Sequence, residues 1–214
     1  MRNRFDEQLD ELNRELIEMG TMCEEAIASA AKAMSTRDLE LAQKVGSNGS
    51  AIDQMERDIE SRCIKLLLHQ QPVARDLRQI SAALKMITDM ERIGDQAEDI
   101  AEIVVFLDGR AVKEMTLIEE MARATIKMVM DSVEAFVSKD VPLAEAVIEY
   151  DDVVDNYFTQ IKEKIIGLIT NGYVDGELAL DYLMIAKYFE RIGDHATNIA
   201  EWVIFSVTGE HKQA

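Results

Sequence analysis

Glu91, Asp95 and Asp99 stand at i, i+4 and i+8, a spacing that strings three carboxylates through successive turns of one helix face. Ninety-nine residues later, Glu190, Asp194 and Asn198 repeat the spacing. A further pair, Asp151 and Asp155, is again i, i+4, and its first-half counterpart is Gly49 and Asp53. Like charges four residues apart cost a helix about 0.2–0.5 kcal/mol per pair. Water and salt can offset this on a solvated face. A hard cation offsets it more strongly, because it takes carboxylate oxygens as ligands. Facing pairs on neighbouring helices would let several oxygens converge on one ion. Because Gly49 stands where an acid would be, the second half is expected to hold the more complete set, although Asn198 replaces Asp99.

Other chemistries find little support. The chain has no Glu-x-x-His of a di-iron bundle, no His-Glu-x-x-His, no Gly-x-x-x-x-Gly-Lys phosphate loop and no Gly-x-Ser-x-Gly elbow. His69 sits at a helix end beside Pro72, where capping or solvent exposure is expected, and His211 lies in the tail. His195 follows Asp194 as a possible peripheral ligand, but its counterpart is Gln96, which argues for a surface residue. Arg75, Arg78 and Lys85 form a basic feature, either a site for an anion or partner or a solvated face. No catalytic residue is assigned.

The elements that must carry these side chains are long helices. Phe5, Leu9, Leu12, Leu16, Met19, Cys23, Ala26, Ala30 and Ala33 form an apolar seam at helical spacing, ending near Arg37. A second helix from about Asp38 carries Ala42, Val45, Ile52, Ile59, Cys63 and Leu66 and stops before Pro72. A third runs from about Ala74 to Asp108-Gly109. The pattern then recurs. Leu117 to Ala135 mark a fourth helix. Asp140-Val141-Pro142 opens a fifth, which Asn171-Gly172 ends, and Leu183 to Val203 lie on a sixth.

The recurrence is a duplication. Glu-Arg-Ile-Gly-Asp occurs at 91–95 and again at 190–194, while Asp38, Ile52, Asp53 and Ile59 match Asp140, Val154, Asp155 and Ile161 at a separation of 102. The change from 102 to 99 predicts that the loop after the fifth helix is three residues shorter than the loop after the second. Two copies of about a hundred residues make a tandem pair, not a solenoid. The expected fold is all-α, with two tandem antiparallel three-helix bundles at residues 1–108 and 109–214. Gly94 and Gly193, each costing a helix about 1 kcal/mol relative to alanine, imply close approach of a neighbouring helix or access of a ligand to the backbone.

Composition fits this reading. The 214-residue chain is 48% hydrophobic, with two prolines, ten glycines and twelve methionines, favouring long helices around a methionine-containing core. Its net charge of −18 disfavours nucleic acid and anionic membrane surfaces and attracts cations. Cys23 and Cys63 fall on apolar stripes, as buried free thiols of a reducing compartment do. No apolar run is long enough to span a bilayer, so a cytoplasmic protein is expected, peripheral to a membrane through partners only.

The segment Gln71-Pro72-Val73-Ala74-Arg75-Asp76-Leu77-Arg78, with Asp89-Met90-Glu91-Arg92-Ile93-Gly94-Asp95, resembles the first half of the PhoU family. Phe189-Glu190-Arg191-Ile192-Gly193-Asp194-His195-Ala196 resembles the second, and the likeness covers about residues 3–208. It implies two three-helix bundles side by side. It also implies an accessory protein of the phosphate ABC transporter that represses the phosphate-starvation response, acting between the transporter ATPase and a sensor histidine kinase, often as a homodimer. Metal clusters held by Glu/Asp-x-x-x-Asp pairs are implied too. By motif these are Glu91 with Asp95, Glu190 with Asp194, and Asp151 with Asp155, together with Asp53; Gly49 departs from the pattern. The ion would be iron, zinc, manganese or magnesium. Two other classes are a metal-dependent phosphohydrolase and a bundle whose acidic faces are merely solvated.

Overall fold

Three of the helices begin at acidic caps. The computed structural model describes residues 2–70, 73–110 and 116–210, in the order α1 (Arg2–Thr36), α2 (Leu39–Gln70), α3 (Ala74–Phe106), α4 (Thr116–Ser138), α5 (Val141–Thr170) and α6 (Gly176–Thr208). Asp38 accepts from the Leu41 amide at 2.9 Å, Asp140 from Leu143 at 3.0 Å and Asp175 from Leu178 at 2.9 Å. Each of these carboxylates thereby satisfies an amide that its helix leaves unpaired. Pro142 lies in the first turn of α5, where its missing N–H costs nothing. Gly209 closes α6 in the left-handed conformation, with φ of 81° and its amide bonded to the Phe205 carbonyl. The expectations for the His69 side chain, Pro72 and His211 fall outside the described residues.

The α5–α6 connection spans 171–175. The expected comparison with the loop after α2 falls on Gln71 and Pro72, outside the described residues. Gly172, at φ of 70°, lies just past the end of α5, and Asp175 caps the start of α6.

Within each half the three helices all touch one another: α1, α2 and α3 in the first, α4, α5 and α6 in the second. The halves meet through α1 against α4 and α3 against α6, while α2 and α5 lie on the outside. Small residues permit the close crossings. A Cβ on Gly20 of α1 would stand 3.2 Å from Val133 of α4. The apolar seams run together into one buried cluster that includes Leu16, Met19, Met86, Met90, Met128 and Phe189. Cys23 and Cys63 are buried in it as free thiols. Burial pushes both thiols up to about 12, so neither offers a thiolate for metal or redox chemistry.

Among the described residues, no helix is long and apolar enough to cross a membrane.

Candidate metal centre

The outer helix of each half meets the duplicated Glu-Arg-Ile-Gly-Asp motif on α3 or α6. The two glycines make this possible. A Cβ on Gly94 would lie 2.9 Å from Ile52 Cδ1 of α2. A Cβ on Gly193 would lie 3.3 Å from Val154 Cγ1 of α5 and 3.1 Å from Asp151 Oδ1. Ile52 and Val154 are repeat counterparts, so both glycines serve the same close helix contact. Each one also sits between the two acidic residues of its motif, and drawing the outer helix inward draws its carboxylates onto theirs.

In the first half this brings Asp53 of α2 together with Glu91 and Asp95 of α3. One carboxylate oxygen from each lies within 4.8 Å of the others, and all three residues are half-buried. Glu91 is raised above the usual carboxylate range by burial, then by Asp95. Arg92 partly offsets the charge, reaching Asp95 at 3.1 Å and Glu91 at 3.5 Å from an exposed position.

In the second half, Asp151, Asp155, Glu190 and Asp194 face one another across α5 and α6. Burial pushes Asp151 up to about 6, reinforced by Asp155, Asp194 and Glu190. Asp194 is raised by burial and by Glu190. Among the described residues a compact carboxylate trio occurs in the first half. In the second, expected to be the more complete, the Lys187 ammonium pairs with Glu190 and lies 5.5 Å from the Phe158 ring centre. Its counterpart in the first half is Thr88, which carries no charge.

Asp99 and Asn198 do not join these clusters. Each helix step of four residues turns about 40° past a full circle, so a third acid after Glu91 and Asp95 swings toward the other half. Asp99 lies beside Tyr188 of α6, and its carboxyl is raised by burial, then by Glu102. Asn198 Nδ2 donates to Asp89 Oδ1 of α3 at 3.1 Å. His195, expected at the surface, is half-buried, with Nδ1 2.9 Å from the same Asp89 oxygen. Positions 89 and 188 are repeat counterparts, as are 99 and 198. The two contacts are therefore one contact made twice, in reciprocal sense. The basic feature also disperses: Lys85 lies 6.0 Å from the Trp202 ring centre, and Arg78 packs against Gly209.

The residue that sequence reasoning missed is Glu98. A Cβ built on Gly49 would land on its carboxylate. Its Oε1 is shielded from solvent and has no hydrogen-bond partner among the described residues. Burial, then Asp95 and Asp53, push its carboxyl up to about 7. It closes one wall of a cavity of about 370 Å³, lined also by Met22, Val45 and Ile52, with Glu25 and Lys44 among its polar groups. A signal was present in the sequence. The second half has Asp151 and Thr197 where the first has Gly49 and Glu98.

Two helical repeats, each folding an outer helix onto an acidic Glu-Arg-Ile-Gly-Asp face, define a tandem-bundle protein with paired carboxylate centres. Comparison with known sequences gives the family. The PhoU domain profile matches twice, over residues 16–104 and 118–203, and the chain belongs to the PhoU family. It is 34% identical to the phosphate-specific transport system accessory protein PhoU homolog of Clostridium acetobutylicum, over 98% of this chain and 96% of that one. It is 35% identical to PhoU homolog 1 of Thermotoga maritima, over 97% and 90%. Crystal structures of PhoU from Pseudomonas aeruginosa (TM-score 0.90, 33% identity, 96% of this chain and 100% of that one) and of the phosphate transport system regulatory protein PhoU from Streptococcus pneumoniae (TM-score 0.91, 28% identity, 98% and 100%) share the fold.

Proposed function

We propose that this chain is a non-enzymatic regulator of phosphate uptake, acting as an adaptor between the phosphate ABC transporter ATPase and a sensor histidine kinase. The observation that carries the reading is the full-length match of both repeats to accessory and regulatory proteins of phosphate transport. On this reading the helical surfaces report the state of the transporter to the kinase by contact, in the cytoplasm, with the protein a homodimer. Co-purification with the ATPase and kinase domains at high and low phosphate tests it. Association with both that changes with phosphate is expected; no association with either partner in either condition refutes the reading.

Metal binding at the acidic faces belongs to the same proposal. The donor set fits a divalent cation. Oxygens on opposite sides of an ion bound at about 2.0–2.6 Å are about 4–5 Å apart, and the Asp53, Glu91 and Asp95 oxygens lie within that span. The unpartnered Glu98 oxygen beside them is a further sign of a missing positive charge. In the second half Asp151, Asp155, Glu190 and Asp194 are the corresponding ligands. An all-carboxylate set suits manganese, magnesium or iron better than a structural zinc. A bound cation would neutralise the repulsion between the outer and inner helix of each half. Metal content of untagged protein, measured by plasma mass spectrometry beside an Asp151→Ala/Glu190→Ala variant, checks this. Retained metal is expected in the wild type and less in the variant; equal content in both removes these residues from the site.

A further inference from the structure

The two halves differ at one pair of facing positions, and the differences compensate each other. In the second half the outer helix carries the acid, Asp151, and the inner helix a hydroxyl, Thr197. In the first half the outer helix has Gly49 and the inner helix carries the acid, Glu98. The structure shows why this is an exchange and not two unrelated changes. The Glu98 carboxylate occupies the volume that a side chain at position 49 would fill, so the first half has no room for both groups as they stand. Asp151 approaches the backbone of Gly193 and faces Asp155, Asp194 and Glu190. Glu98 reaches the equivalent place from the opposite helix and faces Asp53 and Asp95. Its Oε1 is shielded from solvent and accepts no hydrogen bond among the described residues. A carboxylate among other carboxylates, without a donor, calls for a cation.

We propose that Glu98 is the fourth carboxylate ligand of the first-half cation site, delivered from α3 in place of the outer-helix acid that the second half supplies as Asp151. This rests on the metal reading given above and extends it to a residue outside the Glu/Asp-x-x-x-Asp pairs. On this assignment each half offers four carboxylates: Asp53, Glu91, Asp95 and Glu98 in the first, with Glu98 outside the compact trio of the other three, and Asp151, Asp155, Glu190 and Asp194 in the second. The apparent loss of a ligand at Gly49 is a change in which helix provides it. Because Glu98 and Asp95 share α3, the first-half ion would be held mainly by the inner helix. In the second half the carboxylates are divided evenly between α5 and α6.

The test uses the full chain, stripped of metal and titrated with manganese(II) in a background of Asp151→Asn/Glu190→Gln, which leaves the first-half cluster as the site measured. Free manganese is followed by electron paramagnetic resonance. Glu98→Gln, which keeps the shape and removes the charge, is expected to weaken binding by about tenfold or more, at least what losing an outer-shell partner costs. The exchange Gly49→Asp/Glu98→Thr, which copies the second half, is expected to restore it to within about threefold of the background protein, while Glu98→Thr alone stays weak. Thermal melts supply a second readout. Glu98→Gln should melt higher than the background protein without metal and gain less from added manganese. If Glu98→Gln and the exchange both bind like the background protein while Asp53→Asn binds weakly, Glu98 is not a ligand and the metal reading survives. If Asp53→Asn also binds like the background protein, or if that protein takes up no manganese saturably, the metal reading fails and the inference with it.

Discussion

Replacing Gly94 by alanine and replacing Gly46 by alanine should change stability in opposite directions. Both residues lie inside long helices, where alanine is favoured over glycine by about 1 kcal/mol. Gly46 is exposed on α2, and among the described residues a methyl group there meets nothing within 4 Å. The whole gain should appear, raising the melting temperature by about 2–4 °C in a chain of this size. At Gly94 the methyl would lie 2.9 Å from Ile52 Cδ1 and 3.3 Å from Ile52 Cγ2. The δ-methyl can turn aside, but Cγ2 is fixed by the branch at Cβ, whose rotamer a helix restricts. Relief therefore requires the backbones of α2 and α3 to separate. Overpacking of this kind costs about 1–3 kcal/mol, which outweighs the propensity gain and leaves a net loss of about 1 kcal/mol. Urea denaturation of the metal-free variants measures both effects. Adding Ile52→Val to Gly94→Ala removes the Cδ1 contact and should recover part of the loss, since Val154 already fills the equivalent place against Gly193. If Gly94→Ala stabilises the protein as much as Gly46→Ala, the close helix contact is not what requires glycine within the acidic motif.

Stability of the metal-free protein should fall as pH rises from about 4.5 to about 7. Glu98 and Asp151, pushed up to about 7 and about 6, keep protons in the folded state that the unfolded chain releases at its ordinary carboxylate range. The Glu98 displacement alone would correspond to roughly 3 kcal/mol. Its partial exposure reduces this to about 1–2 kcal/mol, so melts across this window should flatten for Glu98→Gln and, to a smaller extent, for Asp151→Asn. Asp89→Ala removes the acceptor shared by His195 and Asn198. A loss of about 1–3 kcal/mol in urea denaturation is expected, with little change in manganese binding; a large loss of metal would mean that the seam and the acidic centres are one unit. Asp140→Ala deletes the cap of α5 and should cost about 1 kcal/mol by the same measurement, whereas Asp140→Ser should cost much less.

Much of the architecture could be read from local chemistry. Asp38, Asp140 and the Asn171-Gly172 pair act within a turn of themselves, and the helices start or stop where those residues stand. The apolar seams needed only helical periodicity, and the duplicated motif needed only comparison of the chain with itself. What could not be read was angular. Asp99 shares a spacing rule with Glu91 and Asp95, yet the drift of the helix carries it to the seam with α6, where Tyr188 meets it. Asn198 follows the same drift to Asp89. Spacing along one helix does not reveal which neighbour stands opposite, because that depends on packing between distant segments. Glu98 was missed for the same reason. It lies outside the Glu91–Asp95–Asp99 series, and its importance comes from the space opened by Gly49, some fifty residues away in the chain. Glu190 likewise pairs with Lys187, three residues earlier on α6.

The reciprocal seam makes the molecule a dimer carried on one polypeptide. Asp89 with Asn198 and Tyr188 with Asp99 are related as the two ends of an isologous interface are, each element meeting its own copy in reverse. Tethering holds such halves at an effective concentration on the order of millimolar, so contacts too weak to join free fragments suffice to keep them docked. Fusion also frees the two ends from being identical. Position 195 is a histidine on one side and Gln96 on the other, and Asp89 gathers two partners where Tyr188 meets one acid. The chain thereby has a polarity that two separate identical subunits could not express, and a partner approaching along the seam would be able to tell its left side from its right.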